Sequence, residues 1–103
     1  MFADVIISWK LAIINIKLIS NSDYLEKLLK EQTPDKVELK KVCYKLIELS
    51  QKALQFIPRK YLQTAEFSAF QLNSMKEDVE KHKYEILSIA KKITNAILLY
   101  NIG

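Results

Sequence analysis

Eight side chains near the C-terminus recur at alternating spacings of four and three residues, which is the heptad rhythm of a helix that packs along one stripe. This rhythm predicts a long helix over residues 74–101 that buries the stripe against other helices. Ser74 and Glu77 form an S-x-x-E capping box that would open it. The eight residues are Met75, Val79, His82, Ile86, Ile89, Ile93, Ala96 and Tyr100.

The rest of the chain favours helices as well. The 103 residues include one glycine and two prolines, so the chain has few of the residues that form hairpins and β-turns. Half of the residues are apolar, which is enough for one modest core. We therefore predict an all-α fold, with a single domain over residues 1–103 built as a compact bundle of four to five helices with a long C-terminal helix.

The N-terminal segment is predicted to form a helix over residues 3–19. The polar run at residues 20–22 would end it, and a short helix over residues 23–31 would follow. A β-strand is the alternative, because apolar residues also alternate here. A lone strand would have no partner, so the helix is the better interpretation.

Caps and prolines predict the middle helices. Thr33 as the cap and Pro34 in the first helical position predict a helix over residues 34–56, which Pro58 would end. A shorter helix is expected over residues 59–72.

The first twenty residues are the most apolar stretch of the chain. Asp4, Lys10, Asn15 and Lys17 interrupt it too often for a membrane span of about 20 apolar residues, and a signal peptide would carry positive charge before its apolar core. The single cysteine, Cys43, excludes an intrachain disulfide and fits a reducing compartment. We expect a cytoplasmic chain that does not contact a membrane.

Several apolar residues exceed what one packing stripe can use. Helix 1 has one heptad-like stripe formed by Phe2, Val5, Trp9, Ala12, Ile16 and Ile19, and a second apolar face beside it. Such surplus surface is either covered within the chain or receives another protein. The two phenylalanines of the predicted third helix could also stack under bases. The predicted partner-interface residues are Ile7, Leu11, Ile14, Leu18, Phe67, Phe70, Leu98 and Leu99.

Basic residues form stripes on the predicted outer faces. Such stripes can neutralise phosphates, although charged faces usually serve solubility, the net charge is only +4, and lysine outnumbers arginine fifteen to one. The candidate nucleic-acid-binding residues are Lys41, Lys45 and Lys52 on helix 2, Arg59 and Lys60 just after it, and Lys92 on the last helix.

No catalytic constellation is recognisable. His82 is expected to be a hydrogen-bonded core residue held by Asp78, and no nucleotide-binding or zinc motif occurs. One Cys and one His cannot by themselves assemble a metal site. We expect no enzymatic activity, no cofactor and no metal.

A basic, cysteine-poor chain of about a hundred residues with lysine stripes such as Lys41, Lys45 and Lys52 resembles the small helical subunit of CRISPR effector complexes. The resemblance covers the whole chain in size and character and involves no diagnostic motif. It implies a non-enzymatic subunit that stacks in a filament and contacts RNA or DNA backbone.

Two hypotheses follow. The chain is either a subunit of a nucleoprotein assembly that uses its lysine stripes on phosphates, or a homo-oligomeric or regulatory protein-interaction bundle without nucleic acid. The charge map separates them. Lysines that converge on one surface favour the first hypothesis, and lysines paired with Glu38, Glu48 and Glu80 favour the second.

Overall fold

In the described part of the chain, three long α-helices pack against one another, and a short one, third in chain order, packs on the second. The computed structural model describes residues 2–62 and 69–102, with side chains described for residues 5–62 and 71–102. The described part of the chain contains no β-strand, so the prediction of an all-α bundle with a long C-terminal helix is confirmed. The helices are α1 (Phe2–Lys30), α2 (Lys36–Phe56), α3 (Ala69–Met75) and α4 (Lys83–Ile102), with a short 3-10 helix over Arg59–Tyr61.

Side-chain contacts fix the direction of α2. The ammonium nitrogen of Lys10 lies 5.3 Å from the ring centroid of Phe56, which joins the start of α1 to the end of α2. Near the other end of both helices, the Tyr24 hydroxyl donates a hydrogen bond of 3.1 Å to the carboxylate of Glu38. The two helices are therefore antiparallel.

The direction of α4 follows from two further contacts. Lys91 forms an ion pair with Glu26, in the second half of α1. Tyr100 packs edge-on against Tyr61, with ring centroids 5.4 Å apart, at the end of the bundle where α1 begins. Hence α4 is antiparallel to α1, and α1 packs on both α2 and α4 through one side.

α1 continues through residues 20–22, where the polar run predicted a break. The Asn21 amide donates a hydrogen bond of 2.7 Å to a carbonyl one turn earlier, and Ser22 is buried. The buried stripe extends to Leu25 and Leu28. Packing of these leucines outweighs the weak helix propensity of serine and asparagine, so the separate helix over residues 23–31 does not exist.

α2 begins one residue after Asp35, whose side-chain oxygen accepts two backbone N–H groups of the first turn. The prediction of Thr33 as the cap is therefore wrong. An aspartate both accepts these bonds and places negative charge at the positive end of the helix dipole. The helix ends at Phe56 as predicted, because Pro58 has no N–H with which to continue it.

The predicted helix over residues 59–72 is also wrong in its bounds. The 3-10 helix and α3 replace it, and residues 63–68 lie outside the described part of the chain. The hydroxyl of Tyr44 donates a hydrogen bond of 3.2 Å to the carbonyl of Lys76. This bond holds the end of α3 against the outer side of α2.

The last helix starts later than its capping box predicted. The Ser74 hydroxyl donates a hydrogen bond of 2.8 Å to the carbonyl of Gln71 inside α3, so Ser74 ends one helix instead of opening the next. Residues 76–82 form turns, in which the carboxylate of Asp78 accepts the backbone N–H of Lys81 at 3.2 Å. α4 then begins at Lys83.

The heptad stripe nevertheless identifies the core. His82 departs from it, since its ring is partly exposed and its Nδ1 lies 3.2 Å from the Glu85 carboxylate, not against Asp78. Tyr100 is half-buried. The other six members are buried, namely Met75, Val79, Ile86, Ile89, Ile93 and Ala96.

Ile93 tests the register of α4. Its side chain is 0% exposed, so Ile93→Ala should lower the free energy of unfolding by about 2–5 kcal/mol through lost apolar burial and a cavity. The neighbouring Lys92 is exposed, and Lys92→Ala should change it by no more than about 0.5 kcal/mol. Urea denaturation of both variants measures the difference, and equal effects would contradict this register.

Cys43 gives the core a pH dependence. Its burial raises the thiol pKa from 9.0 to about 11, partly opposed by the positive charge of Lys83. Between these two pH values the unfolded chain releases a proton that the folded chain keeps, so this contribution to stability is complete below about pH 9 and falls as the pH rises toward 11. We expect the unfolding free energy of wild type to fall more steeply over this window than that of Cys43→Ala. Parallel slopes in urea titrations would refute the assignment.

Candidate interaction surfaces

One side of α1 exposes apolar side chains to solvent. Trp9 is 70% exposed and Ile16 is 69% exposed, and they lie opposite the buried stripe of the same helix. No residue of this exposed stripe carries a charge. We call it the outer face of α1, formed by Val5, Ile6, Trp9, Ala12, Ile13, Ile16 and Ile19.

The structure buries most of the α1 residues that were predicted to meet a partner. Leu11, Ile14 and Leu18, predicted to meet a partner, are buried in the core and are not available to one. Ile7 is half-buried and packs against the core. The heptad-like stripe of Trp9 and Ile16, which was predicted to be either covered within the chain or in contact with another protein, forms the outer face.

The sequence does contain a signal that distinguishes the two stripes. The inner side buries Asn15 and Ser22 as well, but its apolar residues resume at Leu25 and Leu28, whereas the outer side stays polar at Ser20, Asp23 and Lys27. A core helix of 29 residues needs an apolar stripe along its length, so the longer stripe is the inner one. The greater length of the inner stripe would have identified it.

The end of α4 adjoins the outer face. A shallow groove of about 440 Å³ is lined by Trp9, Ala12, Ile13 and Ile16 of α1 together with Asn101 of α4. Three apolar side chains in the last turns of α4 are also exposed. These are Leu98, Leu99 and Ile102, of which the first two were predicted to belong to a partner interface.

Two other predicted interface residues cannot be placed. Phe67 lies outside the described residues. Phe70 belongs to α3, but its side chain is not among those described.

The lysines of α2 form a row along its outer edge. Lys41, Lys45 and Lys52 are exposed and follow helical spacing, so the row spans eleven residues, or about 16 Å. Glu48 interrupts the row. Lys41 lies 3.9 Å from the carboxylate of Glu38, whereas Lys45 and Lys52 form no ion pair with any described side chain.

The remaining basic candidates lie elsewhere. Arg59 and Lys60 follow the end of α2 in the 3-10 helix, and the Lys60 ammonium lies 5.1 Å from the ring centroid of Tyr61. Lys92 is exposed on α4, and no described contact joins it to the lysines of α2. The structure therefore groups the three α2 lysines but does not gather all six candidates into one site.

The bundle also has a pocket at the end where α1 begins. Its volume is about 580 Å³, and its walls come from α1, the end of α2, the 3-10 helix and the end of α4. Sequence reasoning did not detect it, because four separate segments form it. Its polar groups do not include a nucleophile paired with a base. The lining residues are Ile7, Ser8, Phe56, Pro58, Lys60, Tyr61, Tyr100 and Asn101.

Within the described residues, no group of three or more His, Cys, Asp or Glu side chains could hold a metal ion. Residues Val5–Lys30 are long and apolar enough to cross a membrane by length and composition alone. Signal sequences and mostly buried core helices pass the same test, and 28% of the most apolar part of this helix is buried. The inner stripe of this helix packs on α2 and α4.

No protein-family model, curated protein sequence or solved structure matches this chain. The interpretation of its surfaces therefore rests on its own residues.

Proposed function

We propose that this chain is a non-enzymatic protein-interaction bundle, and that the outer face of α1 is where an apolar helix of a partner protein packs. The observation that carries the proposal is the exposure of Trp9, Ile16 and their neighbours along one side of α1. Hydrophobic burial is the largest favourable contribution to most protein association.

The size of this surface supports an interaction role. The exposed fractions of the outer face, Leu98 and Ile102 amount to an apolar area on the order of 1,000 Å², given side chains of roughly 150–250 Å² each. The largest apolar patch of a typical monomer covers about 300–600 Å². Trp9 belongs to this surface, and tryptophan is among the residue types that most often carry the binding energy of an interface.

The charge map favours the same function. Lys41 faces Glu38, and Lys40 lies 3.8 Å from the carboxylate of Glu80. Pairing with these glutamates is the arrangement expected of a solvated surface. Exposed ion pairs are worth only about 0–1 kcal/mol each, so these two pairs favour a solvated surface over a phosphate site only weakly.

Binding to a nucleic-acid backbone is the second candidate. Lys45 and Lys52 have no described acidic partner, and together with Lys41 they form a row long enough to meet several phosphates. The resemblance to small subunits of CRISPR effector complexes implies the same kind of contact. In that case the outer face would bind the neighbouring protein subunits of the assembly.

Photo-crosslinking tests the first candidate. With a benzophenone amino acid in place of Ile16, irradiation of cells that express the chain should yield a covalent adduct with protein, because a partner helix lies against this position. The matched control is Val37, which is 63% exposed on α2 away from the outer face, and it should give little adduct. Adducts with lipid only, or equal yields at both positions, would refute the proposal.

A salt titration tests the second candidate. If the α2 row binds phosphate, replacing Lys41, Lys45 and Lys52 with Gln should weaken binding to all sequences and reduce the slope of log K against log salt by about 0.9 per lost contact. The melting temperature should not change, since exposed substitutions usually stay within about 0.5 kcal/mol. Mobility shifts with RNA and DNA at several salt concentrations measure both effects.

The control for this titration replaces three lysines outside the row. Lys17, Lys27 and Lys30 are exposed on α1, and changing them to Gln lowers the net charge from +4 to +1, as the first triple variant does. The control variant should retain affinity. An equal loss in both variants would show that only overall charge matters.

A further inference from the structure

We infer that the partner of the outer face is a second copy of this chain, packed so that the two α1 helices run antiparallel about Ala12. The inference rests on the proposed function, because it names the occupant of the same face. It follows from the spacing, area and charge of the exposed residues.

The spacing is that of a helix-pairing seam. Val5, Trp9, Ala12, Ile16 and Ile19 follow one another at intervals of four, three, four and three residues, so they form a straight stripe. The stripe lies opposite the core, and no described residue of α2, α3 or α4 covers it. A continuous seam of this kind fits another helix along its length.

The area matches what a dimer needs. A stable interface of standard size buries about 800 Å² on each partner. The outer face with Leu98 and Ile102 exposes an area on the order of 1,000 Å², so a second copy could cover most of it.

The charge pattern allows two copies to meet. A chain of net charge +4 repels itself unless its contact surface is neutral or self-complementary. The outer face carries no charged side chain, and Lys10, beside it, is directed to the Phe56 ring. An acidic partner would find no basic group within this face to pair with.

Steric fit favours the antiparallel orientation. Centring the pair on Ala12 places Val5 level with Ile19 of the second copy and brings Ile16 within one residue, about 1.5 Å along the axis, of Trp9, so each large residue meets one of moderate size. Two alanines at the centre allow close approach of the helices. A parallel pair would instead set Trp9 against Trp9.

Charge beyond the seam favours the same orientation. In a parallel pair the helices continue side by side, which brings Asp23 to Asp23 and Lys27 to Lys27, and such like charges repel. In the antiparallel pair, Asp23 and Lys27 of one copy lie at the opposite end of the seam from Asp23 and Lys27 of the other, so these like charges do not meet. Opposed helix dipoles add a further favourable contribution.

The end of α4 extends the contact. Asn101 borders the groove beside Trp9 and Ala12, and Leu98 lies one turn earlier on α4. In the antiparallel pair this end of α4 lies close to Ile19 of the second copy. The end of an α4 helix then lies beside each end of the seam.

Sedimentation equilibrium tests the association. Wild type should sediment at twice its 12.0 kDa mass in the micromolar range, and Ile16→Glu should weaken dimerisation at least tenfold. Val37→Glu, an equal charge change on an exposed apolar residue outside the face, should remain dimeric. The emission of Trp9, the single tryptophan, should shift to shorter wavelength as wild type associates. A wild type that stays at 12.0 kDa throughout overturns the inference, whatever the variants do.

Disulfide mapping tests the orientation. In a Cys43→Ala background, Val5→Cys and Ile19→Cys should each remain unlinked alone and should form a disulfide-linked dimer when mixed, because only the antiparallel pair brings positions 5 and 19 together. Links in the single variants would indicate a parallel pair and overturn the inference.

The two proposals fail separately. If wild type is monomeric but the photo-crosslinker at Ile16 captures a different protein, the interaction function stands and the dimer is wrong. If that position captures only lipid, the interaction function is wrong as well.

Discussion

The leucine stripe on the inner side of α1 is the contact on which the rest of the structure depends. Leu11, Leu18 and Leu25 have no exposed surface, and they pack where α1 meets α2 and α4. Their spacing of seven residues fixes the rotation of α1 about its own axis. Because that rotation is fixed, every residue on the opposite side is held outward, including Trp9 and Ile16. The exposed surface is therefore a consequence of core packing.

The fold class and much of α4 could be predicted, because both depend on local signals. The scarcity of glycine and proline excludes most β structure, and the heptad stripe of Ile86, Ile89 and Ile93 identifies a buried side. The start of α4 could not be predicted from Ser74, since the four-residue sequence S-x-x-E is the same whether a helix begins or ends there. Only the packing of α3 on α2 decides between the two.

The surfaces were harder to predict than the core. Two stripes of α1 have similar spacing and apolar content, so periodicity alone could not say that Leu11 is buried and Trp9 exposed. The pocket at the end of the bundle where α1 begins could not be predicted for another reason, since residues from four segments meet there only after folding. The α2 row was predictable because Lys41, Lys45 and Lys52 lie on one helix, where spacing alone defines their common edge.

The two similar stripes on α1 also give the chain a competing way to fold. An α1 turned by half a revolution would bury Trp9 and Ile16 against α2 and α4, so over residues 5–19 it would again present an apolar stripe to the core. The turns that follow separate the two states, because half a revolution would expose Leu25 and Leu28 and bury Asp23 and Lys27. The C-terminal third of α1 thus favours the native orientation of the helix over the turned one. It does so although it is not part of the outer face, whose exposure depends on that orientation.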